Sequence, residues 1–265
     1  MTIFRHSVLV AALFVLAVHS PGWSGPTAGQ FQDFTLTLAA PKARYFELQP
    51  IPLVITLKNE TDAPLVGHSA LGFSHGYLRL YVTGGDGRHK IEELSLAKAL
   101  VEAQPHKFMP GEEVKKTESL HLKLNEIFPK PGTYQLTAQL DSGNGKGSVS
   151  SQPIEVEIVD PVGLDEQALQ FIRAHDEPAY FFTGALVLQK PEKLQSLENF
   201  VAMYGESAYG NDASFLLGQV QVAKREYQKA RTLFEQLSKK SDFAFAGQAS
   251  EYLKRIEREE KKKRP

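Results

Sequence analysis

Gly72-Phe73-Ser74-His75-Gly76 has the G-x-S-x-G form in which serine hydrolases present a nucleophile. That motif works where a strand turns sharply into a helix, so that the hydroxyl stands above a parallel sheet with a histidine to take its proton. Here the next segment, Tyr77 to Val82, alternates like a strand, and no strand–helix–strand series surrounds it. The context therefore describes a glycine-rich loop feeding a strand. A hydrolase using Ser74, with His121 and later acids in reserve, stands as a lesser alternative.

Five of the eight histidines fall between positions 68 and 121: His68, His75, His89, His106 and His121. None has H-x-x-x-H or H-E-x-x-H spacing, so no local zinc geometry is encoded, although His68 and His75 share a loop. The carboxylate pairs Glu92-Glu93, Glu112-Glu113 and Asp165-Glu166 are sequence neighbours. Neighbours on a strand point to opposite faces, so adjacency does not make an acid–base pair. Asp165-Glu166 suits the first turn of a helix, where negative charge complements the dipole. The glycine-rich stretches 84–87 and 142–148 lack the Lys-Ser/Thr and helix of a phosphate loop and read as hairpin turns. These patterns give no catalytic residue, no metal site and no cofactor as the expectation.

Thirty Lys and Arg against 31 Asp and Glu leave a formal charge of −1, which argues against a nucleic-acid partner. Cys is absent, so disulfides, thiolate zinc sites, a cysteine nucleophile and a lipid-bearing N-terminal Cys are all excluded. One basic cluster closes the chain, Lys254-Arg255 through Lys261-Lys262-Lys263-Arg264, broken by Glu257, Glu259 and Glu260. It suits either a solvated tail or peripheral contact with anionic lipid or cell-wall polymer.

The start of the chain carries Arg5, then an apolar run from Ser7 to Val18, then a small-residue exit up to Gly29. That order describes a secretory signal over residues 1–24, with cleavage after Ser24 or Gly29. The run reaches about 18 Å as helix, short of a hydrocarbon core of about 30 Å. Export without cysteine fits the periplasm or exterior of a bacterium.

The hydrophobic pattern then changes once. Over 31–160 it has period two: Phe34/Leu36/Leu38, Leu53/Ile55/Leu57, Leu78/Leu80/Val82, Leu120/Leu122/Leu124, Tyr134 to Leu140, and Ile154/Val156/Ile158. Gly, Pro and Asn turns separate the runs, which predicts an antiparallel sandwich of about seven strands. Glu92 to Ala103 interrupts it with helical spacing. Over 161–256 the period is 3.6, with amphipathic stretches from Leu164, around Leu194 to Tyr204, and over 213–222, 227–237 and 245–256. Residues 257–265 lack apolar side chains and are expected to fray.

In the helical half, Leu217-Gly218 followed by Tyr227, Ala230 and Phe234 resembles a tetratricopeptide repeat. The pattern departs at Ser214, Gln221 and Asp242, and the neighbouring repeats are degenerate. In the β half, Pro52 to Asn59, Pro110-Gly111-Glu112 and Phe128 to Tyr134 are similar to exported immunoglobulin-like modules of bacteria. The joint resemblance implies an immunoglobulin-like β-sandwich followed by an α-helical tetratricopeptide-like hairpin array. It implies an exported, non-enzymatic scaffold holding a protein partner, a peptide or a helix, in a helical groove. Tyr209, Asn211, Gln219 and Arg225 are the expected contacts, while Leu217, Gly218, Tyr227, Ala230 and Phe234 are structural. The alternative is a protease inhibitor acting through end loops, 65–76 or 92–108. The loop reading of Ser74 has a direct check: a fluorophosphonate probe is expected to leave Ser74 unlabelled, and labelling there would install the hydrolase.

Overall fold

The computed structural model describes residues 30–84, 89–92, 104–143, 147–175 and 181–262. The expected secretory signal at 1–24 and residues 93–103 lie outside them. Strands β1 (Phe34–Ala39), β3 (Ile51–Asn59) and β8 (Glu113–Leu120) form one antiparallel sheet in that order. A larger sheet runs β2 (Arg44–Phe46), β11 (Ile154–Val159), β9 (Gly132–Asp141), β5 (Leu78–Gly84), β6 (His89–Glu92), with β10 (Ser148–Ser150) also on β9. β4 (Leu65–His68) pairs only with β7 (Pro105–Phe108) among the described residues. The helices are α1 (Leu124–Ile127), α2 (Leu164–Arg173), α3 (Gly184–Gln189), α4 (Pro191–Tyr204), α5 (Gly210–Ala223), α6 (Tyr227–Leu237) and α7 (Ala246–Lys262).

Alternation sets the strand faces: Ile51, Leu53, Ile55 and Leu57 of β3 are each 0% exposed, while the residues between them are half-buried. Tyr134, near the start of β9, donates its hydroxyl to the Lys130 carbonyl at 2.7 Å. β8 stops at Leu120, however, and Leu124 begins α1 instead of extending a strand.

The architecture corrects the expected sandwich followed by a tetratricopeptide-like array. The strands divide among three sheets, and β2 runs parallel to β11 within an otherwise antiparallel set. The helices do not stand apart from them. Ala168, Leu169, Ile172, Leu197, Phe200, Leu216 and Val220 share one continuous core with β3, β5, β9 and β11. A repeat array would pack each hairpin only on its neighbours, so the molecule is a mixed α/β structure. Period reports which face a strand or helix buries, and says nothing of which elements meet across the core.

The helices dock on the turn between β2 and β3. Tyr209, 0% exposed, donates its hydroxyl to the Glu47 carbonyl at 2.7 Å, and the Glu47 carboxylate meets Arg173 of α2 at 2.6 Å. Gln49 accepts the Phe46 N–H at 3.0 Å and donates to the Ala208 carbonyl at 3.1 Å. Asp165, in the first turn of α2 as its position implied, accepts the Ala208 N–H at 2.7 Å. Leu48 between these groups holds a left-handed φ of +57°, which branched side chains disfavour.

A second core joins α5, α6 and α7 through Phe215, Ala230, Phe234, Phe245 and Ile256. Gly218 allows the close crossing, since a Cβ there would lie 2.8 Å from the Phe234 ring. Tyr227 packs at the edge of this core and Leu217 belongs to the first. The closing segment is also corrected: α7 continues to Lys262, held by a 2.6 Å ion pair between Glu260 and Arg231 of α6. Phe234→Ala is expected to destabilise the chain by about 3–5 kcal/mol in chemical denaturation. An unchanged midpoint would remove Phe234 from the core.

Candidate functional site

A cleft of about 700 Å³ lies between β8 and the helices. One wall is β8 and its exit, from Lys115 to His121; the other is α5 and α7 with Gln219, Gln248 and Glu251. Phe182, Phe215, Leu216 and Phe245 give the cleft an apolar floor. Among the described residues β8 pairs on one side only, with β3, so its other edge faces this space. Two outward carbonyls of that edge are met by side chains. Gln248 donates to the Thr117 carbonyl at 3.4 Å, and His121 Nδ1 lies 2.9 Å from the Ser119 carbonyl.

That carbonyl fixes the proton of His121 on Nδ1, because a carbonyl only accepts. Burial holds the imidazole below its ordinary pKa, against the Ser119 carbonyl and Glu118, so the ring is neutral with Nε2 as an acceptor. Asp212 sits in the first turn of α5 and lines both the cleft and a smaller hollow beside Lys42 and Tyr45. Among the described residues no donor reaches its carboxylate. Desolvation pushes it from 3.8 up to about 7, with Lys42 pulling weakly the other way. Tyr45, raised to about 12 by burial and also by Asp212, donates nothing to the acid; its hydroxyl accepts the Lys42 N–H at 3.2 Å. Glu118 is held by Lys116 at 2.6 Å.

The four expected contacts do not share one groove. Gln219 lines the cleft and donates to the Tyr252 hydroxyl at 3.3 Å. Asn211 faces a neighbouring polar hollow and accepts from Lys240 at 2.7 Å. Arg225 lies in the α5–α6 turn with φ +63°. Tyr209 is corrected from contact to structural residue, since its ring has no exposed surface and its hydroxyl is spent on Glu47. Sequence reading passed over Asp212, Glu118 and Glu251. The available signal was a lone acid in an α5 otherwise buried almost all round, from Gly210 to Val222.

Ser74 lies exposed in a short turn that leads into β5, and no hydrogen bond joins it to a base among the described residues. A Cβ at Gly72 would lie 2.5 Å from Lys116 Nζ, the movable end of a long side chain, and 3.0 Å from His75 Nδ1. His68, 0% exposed, is bound through both nitrogens: Nε2–H donates to the Asp141 carbonyl at 2.7 Å, and Nδ1 accepts the Ala70 N–H at 3.3 Å. Burial holds it neutral, and neither nitrogen is left for a metal. His106 meets Glu112 at 2.8 Å. No group of three or more metal-ligating side chains gathers among the described residues. The side chain of His89 lies outside them.

No family model matches the chain, and no curated protein matches it. Among solved structures, a mutant β-glucosidase of Listeria innocua in complex with laminaribiose shares 15% identity over 49% of this chain at a TM-score of 0.30. The overlap spans only 16% of the glucosidase. The sporulation control protein Spo0M of Bacillus subtilis shares 14% identity over 53% of this chain and 55% of its own, at 0.33. The Pseudomonas fluorescens alkylpurine DNA glycosylase AlkC shares 14% over 48% of this chain and 30% of its own, at 0.30. Likeness at this level assigns neither family nor activity.

Asp212 binds its proton more tightly in the folded chain than in the unfolded one, so stability falls as pH rises from about 4 to about 7 and the penalty stays in full above that. Asp212→Asn removes the penalty. Thermal melts are expected to place the variant above the wild type at pH 8, with the gap closing towards pH 4. A variant melting lower at pH 8 would mean that the carboxylate has a stabilising partner.

Proposed function

We propose that the chain is an exported, non-enzymatic binding protein that holds an extended segment of another protein in the cleft between β8 and helices α5 and α7. One observation carries this reading: a strand edge, unpaired on one side among the described residues, faces a cleft of about 700 Å³ whose opposite wall is helical. A strand edge recognises any extended backbone through its amides and carbonyls, and side-chain hollows along it add selectivity. Displacing the 3.4 Å contact from Gln248 to Thr117 would free one carbonyl for such a ligand at small cost. Phe182, Phe215 and Phe245 offer apolar surface to alternate side chains of the segment. Export rests on the charged, apolar and small-residue order of the first 24 positions. The helical-groove form of the scaffold falls with the array, and the partner surface moves to the junction of sheet and helices.

Gly247 in the first turn of α7 lines the cleft, and a Cβ there meets no atom within 4 Å. Gly247→Trp should therefore fill the cleft while leaving the fold in place. The full chain panned against a displayed library of random dodecapeptides is expected to enrich binders. Their affinity should fall at least about tenfold on Gly247→Trp, roughly 1.4 kcal/mol. Equal affinity for both proteins would move binding elsewhere, and an unenriched library would overturn the reading.

A further inference from the structure

Resting on the cleft reading above, we infer that the bound segment carries a lysine or arginine whose charged head seats on Asp212. The chemistry of the walls points to a cation. Asp212 and His121 Nε2 are acceptors with no donor among the described residues, and both line the same space. Glu251 adds a third acceptor from α7. The cationic groups nearby are committed or peripheral. Lys116 is bound to Glu118 at 2.6 Å, and Lys115 is exposed at the rim. Lys42 acts on Asp212 from beyond ion-pair distance, across the smaller hollow.

A partly buried carboxylate without a donor is costly to keep, and one entering cation would offset that cost with an ion pair. A guanidinium suits the site better than a simple amine, because its planar fork can serve a carboxylate and a second acceptor together. The apolar floor would take the methylene stem of either side chain.

The dodecapeptide selection distinguishes this inference from the reading beneath it. Clones taken on the wild type at pH 8 are expected to share a Lys or Arg at one position, and clones taken on Asp212→Asn are not. Replacing that arginine by citrulline, which keeps shape and donors but loses charge, should weaken the best clone at least about tenfold on the wild type and less than about twofold on Asp212→Asn. A melt of Asp212→Asn at or above the wild type at pH 8 shows that the variant is folded and that the carboxylate stands without a partner; a lower melt overturns the inference. Binders without a basic position, or an equal citrulline effect on wild type and variant, overturn the inference and leave the cleft reading standing. Failure to select any binder overturns both.

Discussion

The turn between β2 and β3 is the constraint on which the rest of the molecule depends. Glu47, Leu48 and Gln49 leave the sheet in a left-handed kink and meet the helices with carbonyl, carboxylate and amide in turn. Tyr209 and Ala208, at the entrance of α5, and Asp165 and Arg173, on α2, complete the network. Satisfied buried polar groups specify one arrangement because every alternative leaves some of them unpaired. The Leu48 conformation is tolerated because its side chain is buried and its neighbours are bonded.

Fixing α5 against the sheets also fixes the cleft. Its walls come from β8 and from α5 and α7, the helices beginning at Gly210 and Ala246 where the strand ends at Leu120, and only the junction brings them face to face. The contrast between the two polar sets is informative. At the junction each acceptor has its donor, which is what a structural network requires. Along the cleft Asp212 and His121 Nε2 face space instead, at a cost to the folded chain that natural interiors usually avoid.

Two of the residues that first suggested chemistry, His68 and Asp165, are consumed by packing. His68 stacks on Phe31, meets Tyr77 at a tilt and spends both nitrogens on backbone, and Asp165 closes the junction. Ser74 sits exposed in a short turn leading into β5, bonded to no base among the described residues. A residue type capable of catalysis becomes structural once its hydrogen-bonding atoms are occupied. Occupancy depends on neighbours distant in sequence: Asp141 for His68 and Ala208 for Asp165.

By itself the sequence determined the change from period two to period 3.6 near Pro161, the buried faces of β1, β3, β5, β9 and β11, the span of α6, and the close crossing at Gly218 and Phe234. These are short-range properties, set by pleat, helical pitch and local volume. Only the tertiary structure decided that the strands part into three sheets, that the helices share the sheets' core, and that Tyr209 is an anchor while Asp212 faces a cleft. Tyr209 and Asp212 lie three residues apart, on almost the same turn. What separates their roles is the partner each meets, and the partners are chosen by packing between distant segments, which no local period records.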